Sequence, residues 1–168
     1  IKWIENNISP ISAMLLPIKL KGIKTQFYMQ FDSGLPNTIF YKNAVESIYS
    51  AFPNKINKID SSSNIINFHF NIGKINVSSK TLSVINYGET INWNDNKSIK
   101  IIGTIGTDFL EKKITILNFK ENHCYFGNSV PNKKLVNSLV TFQFKKRKIL
   151  IPAKINGKSY NLLYDTGT

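Results

Sequence analysis

Apolar residues in this chain fall in short runs, many alternating with polar residues, and the runs break at Gly, Asn, Ser and Pro. A two-residue period marks a strand with one face covered, and β-branched and aromatic residues fill most of these runs. The pattern predicts strands at residues 15–21, 26–31, 38–40, 65–72, 74–79, 81–86, 98–104, 113–119, 123–127, 139–144, 149–155 and 159–164. Helical spacing shows at 42–52, where Val45, Ile48, Tyr49 and Phe52 share a face. Residues 107–112 predict a single helical turn with Thr107 as its cap. Residues 128–138 contain Pro131, several Asn and Lys and few large apolar groups, which is linker composition. The chain is expected to be all-β. A first domain is expected at 1–130, with its strands in about 13–127, and a linker with the N-terminal strands of a second, truncated unit at 131–168.

One pattern occurs twice. Leu16-Pro17-Ile18-Lys19-Leu20-Lys21-Gly22 leads into an apolar strand ending Phe31-Asp32-Ser33-Gly34. Ile151-Pro152-Ala153-Lys154-Ile155-Asn156-Gly157 leads into another ending Tyr164-Asp165-Thr166-Gly167-Thr168, two residues shorter between Gly and Asp. Each copy reads as a β-hairpin turned at Gly, and a carboxylate repeated on a repeated scaffold predicts a two-fold site with one acid from each half. Gly permits a tight turn and lets backbone N–H groups approach the carboxylate. The hydroxyl of Ser33 or Thr166 can bond across to the other loop and lock the two together, while Phe31 and Tyr164 hold the acids at the edge of a dry core. Two carboxyl groups that meet cannot both ionise, so they share a proton. The ionised one can draw a proton from water while the protonated one supports a carbonyl under attack. Such chemistry hydrolyses peptides with neither a metal nor a covalent intermediate, and no cofactor is expected.

Composition narrows the alternatives. At 42% hydrophobic and 12% aromatic, 168 residues can bury a core. No apolar run approaches the ~20 residues of a spanning helix, so no membrane span is expected. The chain starts at Ile1 without a signal-peptide pattern, which leaves its compartment open. The net charge of +12 invites a nucleic-acid reading. Most lysines, however, are spread along the chain and alternate with apolar residues, as the solvent side of strands would. Only Lys145-Lys146-Arg147-Lys148 clusters, and it reads as a hairpin turn, so no nucleic-acid partner is expected. The single cysteine, Cys124, sits in an apolar-aromatic stretch and reads as a structural thiol. No Cys/His set has metal-ligand spacing. His69 is expected to face away from Phe68 and Phe70, and His123 to lie near a strand start. Asp108 is expected to belong to the short helix and not to the acid pair. Trp3 and Trp93 read as packing anchors.

Beyond the repeat, Thr104-Ile105-Gly106-Thr107-Asp108-Phe109-Leu110 precedes the strand Ile114-Thr115-Ile116-Leu117-Asn118-Phe119. With the Asp32-Ser33-Gly34 loop, this order and spacing resembles the pepsin/retropepsin-like aspartic proteases over about residues 15–120, and the opening of a second lobe at 149–168. In that family each lobe runs an apolar strand into Asp-(Thr/Ser)-Gly. It then threads a hydrophobic-hydrophobic-Gly segment behind the loop, and here Ile102-Gly103 or Ile105-Gly106 fits. The resemblance implies a closed β-barrel lobe plus the leading strands of a second, incomplete lobe. It implies an aspartic endopeptidase with Asp32 and Asp165 as its catalytic dyad and Ser33 and Thr166 as cross-bracing hydroxyls. Gly34 and Gly167 would be backbone-turn positions, with Thr168 completing the second loop. The implied partners are a peptide or protein substrate in extended form and the remainder of the second lobe or a second copy of the chain.

The chain departs from the family at Leu35, where Ala, Ser or Thr is usual. The family's flap hairpin maps between residues 55 and 70, where there is no Tyr, and its tip is expected at 59–65. No hydrophobic-hydrophobic-Gly segment follows Asp165, so the chain is expected to be a fragment of a bilobal enzyme with little or no activity alone. Two other readings stand beside this one. The first is a single-lobe homodimer using Asp32 from each chain, and the second a non-catalytic barrel whose basic surface binds an acidic partner.

Overall fold

Leu16, Ile18 and Leu20 are buried while Pro17 and Lys19 between them face solvent, so the period read from the sequence is the period of the strand. The computed structural model describes residues 1–5, 7–130 and 140–167. The strands of the first part are β1 (Lys2–Ile4), β2 (Ala13–Leu20), β3 (Phe27–Phe31), β4 (Ile39–Tyr41), β5 (Asn64–Ile72), β6 (Ile75–Ile85) and β7 (Ile101–Ile105). They are followed by β8 (Ile114–Asn118), β9 (His123–Gly127), β10 (Gln143–Lys145), β11 (Lys148–Ile155) and β12 (Lys158–Leu163). One α-helix, α1 (Lys42–Ala51), follows β4 and buries Ala44, Val45 and Ile48. A short 3-10 helix spans Thr107–Leu110.

The fold is all-β, as the alternation predicts, and its centre is a closed six-stranded mixed barrel. Around it run β2, β3, β7, β4, β6 and β5, and β5 returns to pair with β2. The pairs β3–β7 and β4–β6 are parallel and the other four antiparallel. The core is aromatic and aliphatic, with Phe27, Phe31, Phe40, Phe70, Met29, Ile18 and Ile102 among its fully buried side chains. Burial of this apolar surface is the main stabilising term.

Several boundaries differ from expectation. The strands expected at 74–79 and 81–86 are one strand, β6 (Ile75–Ile85), because Asn76 and Lys80 lie on the solvent side and a polar residue there does not end a strand. β1 is too short to show a period; it is fixed by pairing with the start of β2 and by Trp3, which packs on Phe119 and donates to Asn122 Oδ1 at 2.6 Å. β10 covers only the end of the strand expected at 139–144, residue 139 lying outside the described residues, as does most of the expected linker. Trp93 packs edge-on against Phe27 and Phe52. His69 is exposed between buried Phe68 and Phe70. No helix among the described residues is long and apolar enough to cross a membrane.

β10, β11 and β12 form a separate antiparallel sheet that repeats the β2–β3 hairpin. The two hairpins turn on equivalent glycines, Gly22 at φ +76° and Gly157 at φ +79°, the left-handed region that favours glycine. Phe144, Tyr160 and Leu162 pair with Ile149, Ala153 and Ile151 and share one face, on which all three are exposed.

Candidate active site

Asp32 follows directly on β3. β7 runs parallel beside β3 and continues behind the loop, where the Asp32 N–H donates to the Ile105 carbonyl at 3.0 Å. The loop then closes on its own carboxylate, as the Gly34 and Leu35 N–H groups donate to Asp32 Oδ1 at 2.8 and 3.2 Å. From behind, the Thr107 N–H and hydroxyl both donate to the Leu35 carbonyl, at 2.9 and 3.2 Å. Leu35 thus serves through its backbone. Thr107 lies inside the 3-10 turn and does not cap it; Gly106 occupies the cap position, with no side-chain bond. Both candidate glycines of the β7 segment are closely packed. A Cβ on Gly103 would lie 2.3 Å from the Ile39 carbonyl oxygen, and one on Gly106 would lie 2.6 Å from the Asn37 carbonyl carbon. Asp108 fixes the end of the loop, its Oδ1 accepting from the Thr38 N–H at 2.9 Å and the Thr38 hydroxyl at 2.7 Å.

Asp165 follows β12, and the structure brings it to Asp32. The Ser33 N–H donates to Thr166 Oγ1 at 3.0 Å, and the Thr166 N–H donates to Ser33 Oγ at 3.0 Å. The two hydroxyls donate onward across the junction, Ser33 to the Tyr164 carbonyl at 2.8 Å and Thr166 to the Phe31 carbonyl at 3.2 Å. Each loop is thereby held by the other's side chain. Gly34 and Gly167 are required by proximity and not by a left-handed turn. A Cβ on Gly34 would lie 2.3 Å from Asp165 Oδ2, and a Cβ on Gly167 would lie 2.3 Å from Asp32 Cγ. Thr168 lies outside the described residues.

Burial raises the Asp32 carboxyl above its ordinary value; the Gly34 N–H bond pulls it down, and the neighbouring Asp165 carboxyl raises it again. Among the described residues Asp165 accepts a backbone bond from the Gly167 N–H at 2.9 Å, as Asp32 does from the Gly34 N–H at 2.8 Å. Burial also raises the phenols of Tyr164 and Tyr41, the latter bonded to Thr104 Oγ1 at 2.6 Å. In Cys124 burial pushes the thiol up, which disfavours a nucleophilic thiolate.

Arg147 is the residue that the sequence reading missed. It sits in the β10–β11 turn, as expected of its cluster, with φ +61° after Lys146 at φ +50°. Its guanidinium donates to Glu111 Oε1 at 2.8 Å and to Asn37 Oδ1, and its carbonyl accepts from the Thr107 hydroxyl. The turn of the second hairpin is therefore clasped to the loop that follows Asp32. A signal was present, since Arg147 is the chain's one arginine among many lysines, and a planar donor fork serves two acceptors where a lysine does not.

The hairpin expected near 59–65 lies elsewhere. Residues 60–64 form a turn closed on Asp60 Oδ1, and the hairpin tip is Gly73-Lys74, between β5 and β6. β5 runs antiparallel to β2, whose N-terminal end bridges to Gly167 at Ala13, so the tip points toward the Asp32 end of the barrel. Among the described residues no group of His, Cys, Asp and Glu is arranged to hold a metal ion. No model of a known protein family matches this chain, and no curated protein matches it.

Proposed function

We propose that this chain is an aspartic endopeptidase of the pepsin/retropepsin-like kind, in which Asp32 and Asp165 activate a water for attack on a peptide bond. One observation carries the reading: each Asp lies against the other loop's glycine, and each loop's hydroxyl bonds the other's backbone. With one proton on the pair, the ionised carboxyl takes a proton from the attacking water while the protonated one donates to the carbonyl oxygen. The abstracted proton then passes to the leaving amine, and no covalent intermediate forms. The substrate is an extended peptide held by backbone hydrogen bonds as an added strand, with the β5–β6 hairpin as its flap. Both acids belong to one chain, which favours this pair over a dimer built on two copies of Asp32.

The sheet β10–β12 is the opening of a second lobe in this reading, and Phe144, Tyr160 and Leu162 are side chains that further strands of such a lobe would cover. Inhibitor binding reads the acid pair itself, apart from the rate of turnover. A pepstatin-type inhibitor should bind the chain at acid pH, and bind neither Asp32→Asn nor Asp165→Asn; any cleavage of an unfolded protein should vanish in both variants. Equal inhibitor binding by all three proteins, or none by the wild type between pH 3 and 7, would refute the reading.

A further inference from the structure

A cavity of about 300 Å³ lies between β6 and the short 3-10 helix. Its volume is at the lower end of the range in which small ligands bind. Its floor is apolar: Phe70, Leu82 and Phe109 are buried there, and Val77 is half-buried beside them. The rest of its lining includes one acid, Asp108, and one base, Lys113. Neither Asp32 nor Asp165 lines it.

The two charged groups are fixed in place, and neither satisfies the other. Asp108 Oδ1 accepts from the Thr38 N–H at 2.9 Å, the Thr38 hydroxyl at 2.7 Å and the Phe109 N–H at 2.9 Å. Its second oxygen, Oδ2, accepts no bond among the described residues. The Lys113 ammonium donates to the Phe109 carbonyl at 3.0 Å and lies 4.8 Å from the centre of the Phe109 ring. An ammonium carries three donors, so that bond leaves capacity for others. The ion pairs among the described residues are Lys42–Glu46 and Arg147–Glu111, so Asp108 and Lys113 do not meet across the cavity. Arg147 bonds Glu111 and Asn37 and does not line it. A carboxylate oxygen and an ammonium are therefore held apart over one apolar floor.

We propose that this cavity binds a free α-amino acid with an apolar side chain. The ligand's ammonium donates to Asp108 Oδ2, its carboxylate accepts from Lys113, and its side chain rests on Phe70, Val77, Leu82 and Phe109. Both bonds are charge-assisted, the stronger kind. A simple cation would meet Asp108 but bring its charge toward Lys113, and a simple anion would bring its charge toward Asp108, so a ligand carrying both charges on one carbon fits better than either. The apolar floor selects against glycine. The cavity shares β6 with the β5–β6 hairpin and Thr38 with the loop that follows Asp32, so its occupancy is read at the cavity itself and not through peptide cleavage.

Titration of the isotope-labelled chain with L-leucine at neutral pH, followed in nitrogen–proton spectra, tests this. Shifts should saturate at about 10 mM ligand or below and centre on Ser79, Phe109 and Lys113. Leucinamide lacks the carboxylate and N-acetylleucine lacks the ammonium, and they stand for the first and last residues of a peptide. Each should bind about tenfold more weakly, the loss of one hydrogen bond to a charged group. Glycine should not bind. Lys113→Met keeps the stem and removes the charge, and Asp108→Asn keeps an oxygen for Thr38 and Phe109 while placing a donor where Oδ2 was. Each variant should lower leucine affinity about tenfold for the same reason, with an unchanged circular dichroism spectrum. No saturation by leucine, shifts centred on another part of the chain, equal binding of leucinamide or N-acetylleucine, or unchanged affinity in Lys113→Met would each overturn the proposal. Inhibitor binding at the acid pair is a separate readout, so failure of this proposal can be told from failure of the peptidase reading.

Discussion

Ser33→Ala removes one oxygen and leaves two backbone groups of the other loop without partners. Ser33 is fully buried; its Oγ donates to the Tyr164 carbonyl and accepts from the Thr166 N–H. Two hydrogen bonds are lost at ~1 kcal/mol each, and a carbonyl and an N–H left partly buried add the cost of unsatisfied groups, for a total of about 2–4 kcal/mol. The loss falls on the docking of the second hairpin and not on the barrel, since the Ser33 side chain bonds only to the Asp165 loop. Hydrogen exchange at Thr166 and Gly167 should therefore accelerate by about 30- to 1000-fold, each tenfold standing for 1.4 kcal/mol. Exchange in β3 and β7 should change little, because local openings need not involve the whole fold. Thr166→Val cuts the two reciprocal bonds and should reproduce the effect. If docking is one cooperative event, the double variant should cost no more than about 1 kcal/mol beyond the larger single. A change below twofold in Ser33→Ala, or equal acceleration throughout the barrel, would refute this reasoning.

Gly167→Ala drives a Cβ into the Asp32 carboxyl and Gly34→Ala drives one into Asp165. Each should cost ~1–3 kcal/mol, with chemical-shift changes at the opposite loop in nitrogen–proton spectra; shifts confined to the substituted loop would contradict the facing arrangement. Arg147→Ala should speed exchange at residues 165–167 less than Ser33→Ala does, and Arg147→Lys should not rescue it, because one ammonium cannot serve Asn37 and Glu111 as the fork does. Wild-type exchange that is no slower than that of Arg147→Ala would show that the clasp does not hold the hairpin. Asp32→Asn should stabilise the chain at neutral pH. The folded-state pKa of Asp32 is raised, so ionising it costs the folded state. The gain should be full above that raised pKa and vanish as pH falls to the ordinary value of 3.8, as urea melts at pH 7 and pH 3 would report. Asn keeps an oxygen to accept from Gly34 and Leu35, so a loss of stability at pH 7 would count against a destabilising charge.

What could be read from the chain was whatever repeats or closes locally. The meeting of Asp32 and Asp165 was legible because two hairpins share a turn glycine and an Asp-hydroxyl-Gly end, and a small hydroxyl between Asp and Gly has few roles besides a bond to a neighbouring loop. The all-β class follows from alternation such as that of Leu16, Ile18 and Leu20, whereas the closure of the barrel was expected from the resemblance alone. Features set by distant packing were not legible. Thr107 satisfies the local pattern of a cap, yet its hydroxyl goes to carbonyls of Leu35 and Arg147 that only the folded chain brings near. The hairpin tip at Gly73 lay plainly between two predicted strands, but family spacing drew the expected flap to 59–65. Gly34 and Gly167 were read as turn residues; their requirement for close approach depends on a partner more than a hundred residues away along the chain.

The central claim is that Asp32 and Asp165 hold one proton between them, and carboxyl carbon NMR of the wild type and of Asp165→Asn measures it most directly. Asp32 should titrate above the ordinary 3.8 in the wild type and move down toward it in Asp165→Asn, part of the elevation remaining because burial is its largest cause. Identical titration of Asp32 in both proteins would mean that the second carboxyl does not act on the first.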